Sequence, residues 1–233
     1  MLPFGWVWLQ VSNLCDVVRG GSPRPAGDPR YYDGTIPFLK VADITRNPSV
    51  YLDSYTYTIK PAGLTKTRLI QPKKLLLSNS GATLGVPKIC LIEATFNDGI
   101  AAFLGLDEEQ LIYHYYFWCS KTKELRAINQ GAAQPNLNTD LIKEIYIPIC
   151  SVEEMQIISQ EIERRLSVCD QLELEIESNL QKSEALRQSI LKKAFSGQLV
   201  AQNPNDEPAS VLLERICEEK EESKELKPKR KAA

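Results

Sequence analysis

Residues 152–195, VEEMQIISQEIERRLSVCDQLELEIESNLQKSEALRQSILKKAF, contain neither proline nor glycine. Within them Met155, Ile158, Ile162, Leu166, Cys169, Leu172, Ile176, Leu180, Leu186 and Ile190 recur at steps of three and four, with Ser183 filling one gap. That spacing predicts one helix with an apolar stripe. At 1.5 Å per residue the helix would be roughly 65 Å long, longer than a small domain is wide. In heptad terms, position a holds Met155, Ile162, Cys169, Ile176, Ser183 and Ile190. Position d alternates apolar Ile158, Leu172 and Leu186 with polar Arg165, Asn179 and Lys193. Where d is polar, the next residue is apolar (Leu166, Leu180, Ala194). The stripe therefore drifts as it does on a nearly straight helix. A helix this long with one apolar face needs a second helix against it. A core helix of a larger bundle is the competing reading, but no second long helix is present in this sequence to build the bundle.

Both ends carry stop signals. Pro148 closes the strand-like run Ile145-Tyr146-Ile147. Ser151 stands three residues before Glu154, the spacing of a capping box. Glu153 and Glu154 suit the positive end of the helix dipole, and Lys192 and Lys193 the negative end. Gly197 is placed to close the helix in a left-handed conformation.

The rest of the chain arranges itself around this helix. Residues 1–150 are expected to form an α/β or α+β domain, with strand candidates at Ile36–Val41, Tyr51–Ile59, Lys74–Ser78, Lys88–Ile92 and Glu144–Ile147. Asn138-Thr139 marks a helix start, and Leu111–Leu125 reads as an aromatic-rich helix. Arg19–Asp33 and Ser78–Pro87 read as Gly- and Pro-punctuated loops. The long helix then occupies 151–197. Residues 198–217 carry a short helix candidate with Val211, Leu212 and Ile216 on one side, and 218–233 read as a charged mobile tail.

Composition sets bounds. At 233 residues, 43% hydrophobic and 25% charged, this is ordinary globular material. No apolar run approaches a membrane span, and MLPFGWVWLQ lacks the basic and apolar segments of a signal peptide. The scattered cysteines Cys15, Cys90, Cys119, Cys150, Cys169 and Cys217 form no Cys-x-x-Cys pair. They argue against a metal site or disulfide framework and for a reduced, cytoplasmic setting. Net charge is only −2, yet it is unevenly spread. Residues 19–88 hold eleven Lys or Arg against four Asp, whereas residues 151–233 hold thirteen basic and seventeen acidic residues. A basic lobe beside an acidic helix suits a protein that grips a polyanion with one part and protein partners with the other; the alternative is a solvated surface with a chance bias.

Four ordered groups of residues resemble the specificity subunit of type I restriction–modification systems. The first runs from Trp6-Val7-Trp8-Leu9 through Gly20-Gly21-Ser22-Pro23 to Tyr31–Phe38 (YYDGTIPF). The second is Leu76–Gly85 (LLSNSGATLG) with Ala94-Thr95-Phe96-Asn97. The third is Gly131–Leu137 (GAAQPNL) with Ile145-Tyr146-Ile147-Pro148. The last is Leu186–Leu199 (LRQSILKKAFSGQL) with Asp206–Ile216 (DEPASVLLERI). The resemblance implies a mixed α+β DNA-recognition domain followed by a helix that pairs antiparallel in a coiled-coil dimer. The family usually carries two target-recognition domains, each followed by a long helix; this sequence has one of each, a half-size form. Its Pro148–Gln156 (PICSVEEMQ) has Glu154-Met155 where the family has a Glu-Gln pair.

The resemblance also implies a non-catalytic protein. Its partners would be double-stranded DNA, a methyltransferase (M) subunit, a restriction (R) subunit and a second copy of itself, with no membrane and no cofactor. The residues agree. There is no Asn/Asp-Pro-Pro-Tyr/Phe motif, and Asn203-Pro204-Asn205-Asp206 lacks the aromatic that would stack on a flipped base. Gly81-Ala82-Thr83-Leu84-Gly85 lacks the Lys-Ser/Thr ending of a Walker loop. The single histidine, His114, lies among aromatics and reads as a packed core residue. Glu218-Glu219-Lys220 imitates nuclease carboxylates but falls in the expected tail.

Lys and Arg neutralise phosphates, while Arg, Asn and Gln can pair with base edges. The candidates for the DNA face are Arg24, Lys40, Arg46, Lys66, Thr67, Arg68, Asn79, Ser80 and Thr83. Gly20–Pro23 and Gly81–Gly85 can equally exist for turn geometry alone, and Gln134 and Asn136 for docking the domain on the long helix. The helical stripe from Met155 to Ile190 is the dimerisation candidate. Two copies about a two-fold axis would read a bipartite, palindromic target. A half that pairs with a different half, and so reads an asymmetric target, is the alternative. A stand-alone DNA-binding regulator with a coiled-coil arm is a third reading.

Overall fold

Leu75, Leu76 and Leu77 are all fully buried. Consecutive strand residues point to opposite faces, so this strand has apolar material on both sides. The same holds for Ile100, Ala101, Ala102 and Phe103. The computed structural model, which describes residues 2–81, 83–128 and 137–225, places both strands in the middle layer of a three-layer domain.

The elements, in order, are β1 (Val7–Gln10), α1 (Val11–Leu14), β2 (Asp16–Arg19), β3 (Tyr32–Leu39), α2 (Val41–Arg46), β4 (Tyr51–Leu52), β5 (Tyr57–Ile59), β6 (Arg68–Ile70), β7 (Lys74–Ser78), β8 (Pro87–Cys90), β9 (Ala94–Phe96), β10 (Ile100–Leu104), α3 (Leu111–Ile128), α4 (Thr139–Lys143), β11 (Tyr146–Ile149), α5 (Val152–Phe195) and α6 (Ala209–Glu225). One five-stranded sheet has the order β2-β10-β7-β8-β4, antiparallel except for β4 beside β8. A four-stranded sheet has the order β5-β3-β9-β6, with β3 and β9 parallel. Between the two sheets lie Leu39, Ile70, Phe96, Leu76, Ile100 and Ala102. On the outer face of the larger sheet Leu75, Leu77, Ala101 and Phe103 meet α3, where Phe103 and Trp118 pack with ring centroids 5.1 Å apart.

The expected mixed α/β domain is present, with several boundaries moved. The strand expected at 51–59 is two strands in two different sheets: the exposed residues 53–56 carry the chain from one to the other. The strand expected to end at Val41 ends at Leu39, because Asp43 Oδ2 accepts the Lys40 N–H at 2.8 Å and starts α2 there. Pro148 does not end its strand. It lies inside β11, opposite Trp8, in a two-stranded antiparallel sheet of β1 and β11. Each strand of such a sheet has an unpartnered edge, where a missing N–H is tolerated. Helix α3 runs to Ile128 and α6 to Glu225, the latter through the first part of the expected tail; residues 226–233 lie outside the described residues.

The chain divides into two units after Ser167. Helix α5 spans 44 residues with the expected bounds. In the first unit Met155 and Ser159 are buried and Ile158 packs on the core, so these turns belong to the domain's own interior. Burying a Met side chain contributes roughly 1.5–3 kcal/mol. Ser151 Oγ accepts the Glu154 N–H at 3.2 Å, one arm of the expected capping box. Glu154 Oε1 accepts from Trp6 Nε1 at 3.1 Å, tying the segment before β1 to the helix. In the second unit the Gln198 N–H reaches back to the Lys193 carbonyl at 2.8 Å around Gly197 (φ +72°), closing α5 as expected.

His114 is fully buried on α3, and neither ring nitrogen has a hydrogen-bond partner among the described residues. Burial pushes its pKa down to about 4. The unfolded chain, with an ordinary imidazole near 6.5, binds the proton first on acidification. The folded state should therefore lose up to about 3 kcal/mol relative to the unfolded one between pH 6.5 and 4. Urea unfolding of the wild type and His114→Leu across pH 7 to 4.5 checks this: the variant should gain on the wild type as pH falls.

Candidate nucleic-acid interface

Strands β9 and β10 belong to different sheets, and the turn that joins them is Asn97-Asp98-Gly99. Four other segments close on this corner. The Asn97 N–H donates to the Leu39 carbonyl at 2.9 Å, which brings up the start of α2. The Asn79 N–H donates to the Gly99 carbonyl at 2.9 Å, which brings up the end of β7. The Gly20 and Gly21 N–H groups donate to the Ile100 and Phe96 carbonyls, both at 3.1 Å. Thr67 Oγ1 donates to the same Phe96 carbonyl at 2.8 Å. Finally, Arg68 Nε donates to the Arg19 carbonyl at 2.9 Å.

The corner gathers most of the side chains proposed from the sequence. Arg24, Lys40, Lys66, Arg68 and Ser80 surround it, with Arg24, Lys66 and Arg68 exposed and Lys40 and Ser80 half-buried. Thr67 belongs to the same group, but its hydroxyl is committed to Phe96, so it braces the loop. Asn79 is 0% exposed and its amide has no partner among the described residues; it faces the interior, away from any solvent-borne base. Arg46 stands at the other end of α2, where its Nη1 donates to Thr56 Oγ1 at 3.0 Å and Thr56 in turn donates to the buried Asp43. Lys40 lies over the Tyr57 ring, 3.4 Å from its centroid. Arg46, Lys40 and the exposed Tyr55 and Tyr57 extend the basic group with aromatic faces.

Thr83 is not part of this group. It lines a separate cavity of about 310 Å³ with Ile44, Asn47, Lys88, Tyr115 and Cys119. Lys88, counted in the basic lobe, is 3% exposed; its Nζ donates to the Asn47 and Ser49 carbonyls and burial pushes its pKa down. It holds a loop in place of a phosphate. Gly81 (φ +77°) and Gly85 (φ +84°) do serve turn geometry. Gly20 and Gly21 have another purpose. A Cβ on Gly20 would run into the Asn97 and Phe96 carbonyl oxygens, and one on Gly21 into that of Lys66. Gln134 and Asn136 lie outside the described residues.

Sequence reasoning missed the corner itself, together with Arg19, Ser22 and Tyr57. Asp98 Oδ1 accepts from Ser22 Oγ at 2.8 Å, and Arg19 Nε donates to the Asp98 carbonyl at 2.6 Å. The Asp-Gly pair at 98–99 was the available signal. Tyr32 donates its hydroxyl to the Pro23 carbonyl at 2.7 Å beneath Arg24. Burial pushes that phenol's pKa up, while Arg24 and Asp98 act on it in opposite senses. An array of guanidinium and ammonium groups on one corner can hold a row of phosphates, and Arg and Ser side chains are of the types that pair with base edges. Among the described residues no three His, Cys, Asp or Glu side chains gather as a metal site would need, and no helix is long and apolar enough to cross a membrane.

Known proteins bear on this geometry. Residues 3–186 match the type I restriction modification DNA specificity domain. The type I restriction enzyme EcoBI specificity subunit of Escherichia coli is 35% identical over 250 aligned positions, covering 99% of this chain and 51% of that protein. The MjaIX specificity subunit of Methanocaldococcus jannaschii is 27% identical over 194 residues, covering 82% and 43%. A chain from a type I R-M system, solved for its complex assembly and conformational transition, superposes with a TM-score of 0.63 at 23% identity, over 85% of this chain and 48% of that one; this likeness is one of fold. The chain spans about half the length of the curated relatives it matches.

The close approach at Gly21 yields a direct test of how the corner is built. Gly21→Ala should lower stability by about 1–3 kcal/mol, because the Lys66 backbone must move to admit the methyl group. Gly27→Ala, in open space though at φ +76°, should cost only about 1 kcal/mol. Thermal melts of the two variants against the wild type measure the difference.

Proposed function

The chain belongs to the family of type I restriction modification DNA specificity domains, and from that premise we propose that it is the non-catalytic DNA-reading component of a type I restriction–modification complex. The observation that carries this reading is the convergence of Arg19, Arg24, Lys40, Lys66 and Arg68 on the Asn97–Gly99 corner. That face docks on the duplex, with phosphate contacts setting register and a few side chains reading bases. Methyl transfer and cleavage belong to separate M and R subunits that the protein positions on its target.

The second unit supports a paired assembly. Along α5 beyond Ser167, Leu172, Ile176, Leu180 and Leu186 are 52%, 67%, 70% and 62% exposed. An apolar stripe of that length is an association surface. A second copy of the chain, its helix antiparallel to the first, covers it and supplies a second reading domain. An isologous pair presents inverted half-sites, so the target is bipartite and palindromic, with a spacer set by the helix.

Two measurements test the reading. Single-molecule methylome sequencing of cells expressing this chain with a matching M subunit should reveal a new symmetric, interrupted methylated motif. An asymmetric motif would mean that a different half completes the pair, and no motif would remove the targeting role. Deleting the heptad Val168–Leu174 shortens the helix by about 10.5 Å. The spacer should then shrink by about three base pairs or methylation should cease, with the half-site bases unchanged. New half-site bases at an intact spacer would overturn the role of the helix as ruler.

A further inference from the structure

A carboxylate stands in the middle of the basic corner. Asp98 Oδ2 faces Arg24 Nη2 at 3.6 Å, with the Arg24 side chain 78% exposed and that of Asp98 42% exposed. Its other oxygen is occupied by Ser22. A fully formed pair nearby looks different: Arg30 grips both oxygens of Asp28 through Nε and Nη2 at 2.6–3.1 Å. Beside that, the Arg24–Asp98 contact is single and long. At such exposure it adds little to folding, so stability does not account for an acid in this place.

The acid does have an electrostatic consequence. A carboxylate among cations that meet a polyanion opposes every docking event, whatever the sequence, and engages one guanidinium that would otherwise seek phosphate. Sequence-independent phosphate affinity falls, while base contacts elsewhere on the face are untouched. Specificity is the difference between those affinities. We infer that Asp98 is a specificity-determining residue that restrains Arg24 and weakens non-specific DNA binding, so that Arg24 is released only where other contacts repay the repulsion. This rests on the DNA-reading function proposed above. Ser22 and the Arg19 hydrogen bond to the Asp98 carbonyl fix the carboxylate in place, which makes Asp98 a built part of the corner.

The test is a salt titration of the full chain on a random-sequence duplex of about two helical turns, followed by fluorescence anisotropy. Asp98→Asn keeps the size and the Ser22 hydrogen bond and removes the charge. It should bind about three- to tenfold tighter at 0.1 M salt, with a slope of log Kd against log salt steeper by about one. In an Arg24→Ala background the same change should give a clearly smaller gain. A merely structural Asp98 would instead loosen the Gly20–Arg24 loop, and its loss would weaken binding. Equal or weaker binding by Asp98→Asn, with a wild type that binds and an Arg24→Ala variant that binds less, overturns the inference and leaves the DNA reading standing. A wild type that does not bind the duplex even at 50 mM salt overturns both. Asp98→Ser repeats the measurement should the Asn variant melt early.

Discussion

Everything that positions the basic side chains depends on one backbone crossing, the turn Asn97-Asp98-Gly99 between two sheets. Its donors and acceptors are divided among partners that are distant in sequence: Leu39, Asn79, Ser22 and Arg19. Buried backbone groups must be paired, and here the pairing draws three separate stretches of chain to one point. The segments that bear Arg24, Lys40 and Ser80 are thus held at the turn, and that of Lys66 by Thr67 Oγ1 on the Phe96 carbonyl, while Arg24 and Lys66 stay exposed. A reading surface needs this combination, because rigid anchor points make discrimination by a few hydrogen bonds possible.

The sequence showed some parts of this arrangement and hid others for physical reasons. Helix α5 was legible to its bounds because an amphipathic period over 44 residues has no competitor. Strand β7 was legible as an apolar run between turn residues. Strands β9 and β10 were not: Ala94–Phe96 and Ile100–Leu104 are short and, buried on both faces, lack the alternation that marks a half-exposed strand. The domain boundary at 150 missed that Met155 and Ser159 are interior, since helical periodicity looks the same whether a stripe faces its own domain or a partner. Among the candidate site residues, Arg24, Lys66 and Arg68 were named by type and are exposed, whereas Asn79 was named by type and is buried. Burial at a strand end depends on what other segments cover it.

The basic charge between residues 19 and 88 is uneven at the level of the single residue. The excess of Lys and Arg between 19 and 88 is real, but its members differ in availability. Lys88 is spent on two carbonyls in the interior, Arg30 is locked to Asp28, and Lys73 is paired with Glu108 at 2.6 Å. Arg19, Arg24, Lys40, Lys66 and Arg68 lie around one corner, and Arg46 stands at the far end of α2. A field that is diffuse in sequence becomes local in the fold, and a local field orients a polyanion where a diffuse one only attracts it.

The helix adds a second constraint of a different kind. Its first turns are anchored by Met155 in the core and by Trp6 on Glu154, while from Leu172 onward the apolar stripe is open to solvent. A bare stripe of this length is unfavourable in water, and no long helix elsewhere in the described residues covers it. The same covalent element therefore has one part packed into its own domain and one part whose apolar side chains are exposed. Reading DNA can be a property of a single chain. Spacing two readings cannot: in the assembly proposed above, the distance is defined only once the open stripe has found its complement.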